Sequence, residues 1–123
     1  MITIGLVGFG YWGPNVAKNI YKNKNFKFKY LCDKKKERLD LAKATYANAV
    51  NYIDDCSIIF NDPEIDAVAL AVQTSEHFRL AKEALLAGKH VYVEKPFTNS
   101  VREAEELRDI ADQKGLKVHV DHI

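Results

Sequence analysis

Short apolar runs alternate with longer stretches of helical period from one end of the chain to the other. The runs are Ile2–Val7, Phe26–Cys32, a weak one at Ala49–Tyr52, Ala67–Val72, Val91–Val93 and Leu116–Val120. Ala67–Val72 contains no polar residue, the pattern of a strand covered on both faces. Phe26, Phe28 and Tyr30 instead alternate with Lys27 and Lys29. This predicts one wetter face and a first half that projects beyond the covering helices.

The intervening stretches carry helix start and stop signals. Ser100 and Glu103 form an S-x-x-E capping box, Val101, Ala104, Leu107 and Ala111 make one apolar stripe, and Gly115 supplies the left-handed stop. Thr74 or Ser75 can cap the preceding helix, whose face is Phe78, Ala81 and Leu85 and whose end is Gly88. The pattern predicts strands over 2–8, 26–32, 49–52, 66–72, 90–93 and 116–121, and helices over 13–23, 34–47, 54–61, 75–87 and 100–114. Six strands joined by right-handed crossover helices imply a doubly wound α/β fold, a parallel six-stranded sheet with helices on both faces.

Composition narrows the function. A chain of 123 residues suits one domain, with no internal repeat, low-complexity segment or linker. Its 18 lysines and arginines nearly balance 17 aspartates and glutamates, so charge gives no case for a nucleic-acid or acidic-membrane partner. The lysine-aromatic mixture of Tyr21–Tyr30 falls on a strand period and reads as packing. No apolar run nears a bilayer span and no leader precedes the first strand, so a cytoplasmic location is expected. Cys32 and Cys56 form no CxxC pair and read as buried thiols in a reducing compartment. His119 and His122 point to opposite faces of a strand, and no Cys/His/Asp cluster has metal spacing, so no metal is expected.

The chemistry concentrates after the first strand. Gly8-Phe9-Gly10-Tyr11-Trp12-Gly13 fits G-x-G-x-x-G where that motif has a mechanism, between a strand and a helix. Gly8 permits the tight turn, Gly10 lets the backbone approach a pyrophosphate, and Gly13 allows close helix packing. The helix N-terminus offers N–H groups to phosphates, and Pro14 suits its first position. Asp33, twenty residues past Gly13, can accept hydrogen bonds from an adenosine ribose; its alternative reading is a cap for the second helix. That carboxylate favours NAD over NADP. Lys34, Lys35 and Lys36 can attract a 2′-phosphate and keep NADP open, or simply form a solvated first turn. At the carboxyl edge after the fifth strand comes Glu94-Lys95-Pro96-Phe97. Lys95 there can assist a substrate hydroxyl, or belong to an ordinary charged loop.

The glycine loop through Pro14-Asn15, the segment from His77 through Ala87-Gly88-Lys89-His90-Val91, and Glu94-Lys95-Pro96 together make the chain resemble the Gfo/Idh/MocA oxidoreductases. The resemblance covers essentially the whole chain. It implies a two-domain NAD(P)-dependent dehydrogenase or reductase acting on a sugar, nucleotide sugar or polyol, and a homo-oligomer at full length. It places Lys95 beside the nicotinamide and substrate as the candidate catalytic residue. Candidate cofactor-binding residues are Gly8, Phe9, Gly10, Tyr11, Trp12, Gly13, Asp33, Gln73, Thr74, His77, Glu94 and Lys95, with His77 a positioning residue. His122 is a weaker candidate for the substrate border. The loop Val72-Gln73-Thr74-Ser75 departs from the family's usual proline beside a small hydroxyl residue. Residues 1–123 are expected to be the dinucleotide-binding domain, with the family's substrate domain absent. The Gly10–Asn15 loop and Val120-Asp121-His122 resemble the nucleotide-sugar branch more than the inositol branch. Two rivals stay open: a non-catalytic NAD-sensing module, which has no use for Lys95-Pro96, and a methyltransferase, which lacks that loop.

Overall fold

The computed structural model describes residues 1–10, 12–94 and 100–121. Six strands, β1 (Ile2–Val7), β2 (Phe26–Cys32), β3 (Asn51–Ile53), β4 (Ala67–Leu70), β5 (His90–Glu94) and β6 (Val118–Asp121), form one sheet in the order β3-β2-β1-β4-β5-β6. Every pairing is parallel. Five helices connect them: α1 (Gly13–Lys22), α2 (Lys36–Tyr46), α3 (Ser57–Asn61), α4 (Thr74–Leu86) and α5 (Val101–Lys114). The doubly wound α/β architecture expected from the alternation is the one observed.

Both faces of the sheet are covered. Val16, Ala17 and Ile20 of α1 and Ala42 and Tyr46 of α2 pack on Ile4, Leu6, Leu31 and Ala69. On the opposite face Ile59, Leu80, Ala84, Leu85 and Leu107, from α3, α4 and α5, cover Val7, Val68, Leu70, Val91 and Val93. The period-2 alternation of β4 thus sends Val68 and Leu70 one way and the smaller Ala69 and Ala71 toward α1. Each fully buried Leu or Ile contributes roughly 1.5–3 kcal/mol relative to exposure.

One expectation is corrected in β2. Phe26 and Phe28 do not share a face with Tyr30. The register with β1 runs Ile4↔Phe28 and then Gly5↔Tyr30, so Lys29 is an extra residue, a β-bulge. An inserted residue reverses which face the following side chains meet. Phe26 and Phe28 join the α1/α2 cluster, Tyr30 and Cys32 the opposite one. The bulge is held by Asp62, which accepts from Lys29 Nζ at 2.6 Å and from Tyr30 Oη at 2.7 Å. The expected wetter half of β2 has a simple cause: β3 pairs only with Tyr30–Cys32, leaving Phe26–Lys29 without a paired strand on that side.

Element ends differ where a side chain or a tight turn takes over the backbone. The weak run at Ala49 becomes a 3-10 turn over Ala47–Ala49 before β3 begins. Helix α3 starts late because Asp55 Oδ1 accepts the Ser57 N–H at 3.0 Å. Leu116 still bonds Ala111 and Lys117 bonds His90 Nδ1, so β6 opens at Val118. Ser100 Oγ caps α5 through the Glu103 N–H at 3.1 Å, and Gly115 takes the left-handed conformation (φ 68°), as the signals predict. Neither Thr74 nor Ser75 caps α4. Its N-cap is Gln73, without a side-chain cap bond.

Candidate functional site

The cleft lies at the carboxyl ends of β1, β2 and β4, where the strand order reverses and open parallel sheets receive ligands. Its volume of about 730 Å³ falls within the range of small-molecule sites. Gly8 makes the turn out of β1, donating its N–H to the Cys32 carbonyl at 2.8 Å with φ +102°. A Cβ there would sit 2.4 Å from the Ala71 carbonyl oxygen, so no side chain fits. Gly13 approaches as closely: its Cβ would lie 2.6 Å from the Gly8 oxygen. Gly10 is different. The three atoms nearest a Cβ on it would all belong to the Arg38 guanidinium, from 3.1 Å, a flexible side-chain end rather than backbone.

Helix α1 opens at Gly13 behind Trp12, with no side-chain cap and no acidic residue in its first turn. Pro14 occupies the second helical position rather than the first, and it still removes no helical hydrogen bond there. An uncapped helix start beside a side-chain-free loop presents N–H groups and a partial positive charge to an anion. Trp12 and Gly10 line the cleft, whereas the Phe9 side chain is buried among the α1/α2 core. Phe9 therefore offers backbone only. Tyr11 lies outside the described residues.

Asp33 joins the loop to β2. Its Oδ2 accepts the Phe9 N–H at 2.8 Å and its Oδ1 the Lys35 N–H at 2.9 Å, while Arg38 Nη1 stands 3.5 Å from Oδ2. The helix-cap alternative does not hold, because α2 begins at Lys36 with Lys35 as its N-cap. Asp33 is a buried turn anchor that still borders the cleft. Two carboxylate oxygens offer about four acceptor positions, so capacity remains for a ribose hydroxyl. Lys34, Lys35 and Arg38 line the cleft around it, and Lys36 does not. Arg38 escaped the sequence reading. The signal was a cation five residues past Asp33, which the first turn of α2 carries back over Gly10.

The loop after β4 forms the facing wall. Gln73, Thr74 and His77 line it, with His77 buried and its Nε2 at 2.9 Å from the Val72 carbonyl. That carbonyl can only accept, so Nε2 carries the hydrogen in this arrangement. The third wall was not foreseen: Asp54, Asp55 and Cys56 border the cleft beside Cys32. Cys32 is buried as expected, but Cys56 is only half-buried. Hydrogen bonding from the Cys32 thiol is the chief cause that brings the Cys56 thiol down to about 7 and, with burial, pushes Cys32 up. Arg79 of α4 also favours the Cys56 thiolate, against burial and Glu83. Lys95, Pro96, Phe97 and His122 lie outside the described residues. Glu94 ends β5, and its side chain is likewise outside them.

Arrangement and donor set fit a dinucleotide: a Gly10 bordered by a flexible guanidinium, an uncapped helix start for diphosphate, and an acidic group beside them. The comparisons agree. Residues 2–122 match the family model described as the oxidoreductase family, NAD-binding Rossmann fold. An uncharacterized oxidoreductase of Escherichia coli, YdgJ, is 33% identical over 98% of this chain and 34% of its own length. The UDP-N-acetylglucosamine 3-dehydrogenase of Acidithiobacillus ferrooxidans is 42% identical over 49% of this chain and 19% of its own. Among solved structures, scyllo-inositol dehydrogenase from Lactobacillus casei, with NAD(H) and scyllo-inositol bound, superposes with a TM-score of 0.86 at 30% identity. That match covers 98% of this chain and 36% of the other. The chain thus spans about a third or less of the length of such relatives. No helix among the described residues is long and apolar enough to cross a membrane.

Proposed function

The chain belongs to the Gfo/Idh/MocA oxidoreductase family through its NAD-binding Rossmann fold, and on that premise we propose that it holds the cofactor for hydride transfer to or from a sugar, nucleotide sugar or polyol. The observation that carries the reading is the single carboxylate of Asp33, which fixes the glycine loop through Phe9 and borders the same cleft as Gly10. The diphosphate rests on the N–H groups at the start of α1, and Asp33 accepts from the adenosine ribose. Gln73, Thr74 and His77 form the wall along the rest of the dinucleotide. When bound, the nicotinamide supplies the hydride acceptor or donor.

Lys95 is the candidate catalytic residue: its ammonium would stabilise alkoxide charge on the substrate oxygen. The support is the Glu94-Lys95-Pro96 motif following β5. Relatives about three times as long support a substrate-binding part outside these residues, with the chain as the dinucleotide-binding domain. Asp33 disfavours a 2′-phosphate and Arg38 favours it, so both cofactors bind and NAD binds tighter. The substrate class rests on the polyol and nucleotide-sugar relatives named above.

Thermal unfolding with millimolar NAD, NADP or S-adenosylmethionine tests the reading, because stabilisation grows as RT ln(1 + [L]/Kd). NAD and NADP raise the melting temperature and S-adenosylmethionine does not. Incubated with NAD and a panel of sugars and polyols, the 123-residue chain alone forms no NADH. Steady NADH formation under those conditions contradicts the division of labour.

A further inference from the structure

We propose that Cys32 and Cys56 are a peroxide-sensitive dithiol whose oxidation to a disulfide closes the cofactor cleft. The inference rests on the cofactor reading of that cleft and adds a modification site to it. Its basis is placement. The Lys29 bulge turns Cys32, at the end of β2, away from α1 and toward the face where the chain descends from β3 into α3. Cys56 is the residue just before α3, half-buried against the cluster that contains Cys32. Both border the cleft, and Cys56 follows by three residues Ile53, the register partner of Cys32 in β3. Among the described residues no third ligand joins them in a metal site.

The pair is chemically asymmetric, as a sensor requires. The accessible member, Cys56, is the one whose thiolate is favoured, by the Cys32 hydrogen bond and by Arg79, while the buried Cys32 keeps its proton. Asp33 and Asp55 beside Cys32, and Glu83 beside Cys56, oppose the thiolates without reversing that order. The Cys56 thiolate attacks one oxygen of hydrogen peroxide, the O–O bond breaks, and hydroxide leaves to become water. The sulfenic acid formed is then attacked by the Cys32 sulfur. An S–S bond forms, the S–O bond breaks, and the oxygen leaves as a second water with the Cys32 proton. Two thiols lose two electrons, and the peroxide takes them up.

The disulfide acts on the site because of what Cys32 and Cys56 adjoin. The Cys32 carbonyl accepts the Gly8 N–H, and its chain neighbour Asp33 holds the Phe9 N–H. Drawing the two sulfurs to bonding distance pulls on both anchors of the glycine loop. It also draws the Asp54–Cys56 wall inward over the ribose position.

The test exposes the reduced chain to hydrogen peroxide and follows intact mass, peptide mass and NAD affinity by calorimetry. The expected result is a loss of two hydrogens, a peptide linking Cys32 to Cys56, and NAD affinity lower by about tenfold or more, restored by dithiothreitol. In Cys56→Ser no such link forms, and the variant's own affinity does not respond to peroxide. The proposal is overturned if peroxide leaves both thiols free, oxygenates Cys56 without linking it, or joins two chains. A disulfide with unchanged NAD affinity overturns the switch alone. A reduced chain that does not bind NAD overturns the cofactor reading and the switch with it.

Discussion

The Asp33 carboxylate accepts the backbone N–H of Phe9 at 2.8 Å, and this bond ties the glycine loop to the end of β2. One side chain therefore holds the loop and, in the function proposed above, also takes the ribose. Asp33→Ala removes both. NAD affinity should fall ~10- to 100-fold, the loss of charge-assisted bonds worth roughly 1.5–3 kcal/mol. The orphaned Phe9 N–H costs about 1–3 kcal/mol of stability in addition. Asp33→Asn separates the tasks: its amide oxygen can still accept from Phe9 and only the bond from the Lys35 N–H is lost, so less stability is lost than in Asp33→Ala while NAD binding weakens. Equal stability loss in both variants, in urea titrations, would contradict this division.

Arg38 stands over Gly10 and 3.5 Å from Asp33. A guanidinium there serves a ribose 2′-phosphate better than a ribose hydroxyl. Arg38→Ala is expected to cost NADP about tenfold in affinity and NAD less than about threefold, the charge-assisted bond being lost only to the phosphate. Calorimetry with the two cofactors reads the ratio. An equal loss for both would move the guanidinium's role to the shared diphosphate.

Gly8 combines φ +102° with a carbonyl oxygen 2.4 Å from where a Cβ would stand. Gly8→Ala adds backbone strain of about 1–3 kcal/mol to that collision. The melting temperature should drop by many degrees, with NAD binding lost as a consequence of the damaged loop. A Gly8→Ala protein as stable as the parent contradicts the turn geometry.

The Cys32 hydrogen bond brings the half-buried Cys56 thiol down to about 7. A lowered thiol is already thiolate at pH values where an ordinary one, at about 8.5, is not. Alkylation of Cys56 by iodoacetamide should therefore rise with pH to half its plateau near 7. Cys32→Ala removes the donor and should shift that midpoint upward. A midpoint already at about 8.5 in the parent chain would show the thiols are not in contact.

The fold was legible because its signals are local and redundant. Ser100, Gly88 and Gly115 mark helix ends with side chains or backbone conformations that act within a few residues. The all-apolar run around Val68 has the pattern of a strand covered on both faces. What stayed hidden depends on tertiary register. The bulge at Lys29 exists because Lys29 and Tyr30 both reach Asp62, more than thirty residues away, and no pattern within β2 reveals that. It sent Tyr30 to the unexpected face. In the site, the glycine loop and Asp33 were readable from spacing, but the Phe9 bond was not, nor was the placement of Arg38. Cys56 looked inert in sequence and borders the cleft only because β3 brings it beside Cys32.

Gly10 gives the most direct test of the central claim, because a Cβ there meets a flexible guanidinium rather than backbone. Gly10→Ala should keep the parent melting temperature while abolishing measurable NAD binding in calorimetry, since the added methyl stands where diphosphate approaches the loop. Unchanged NAD affinity in a stable Gly10→Ala protein would contradict the account.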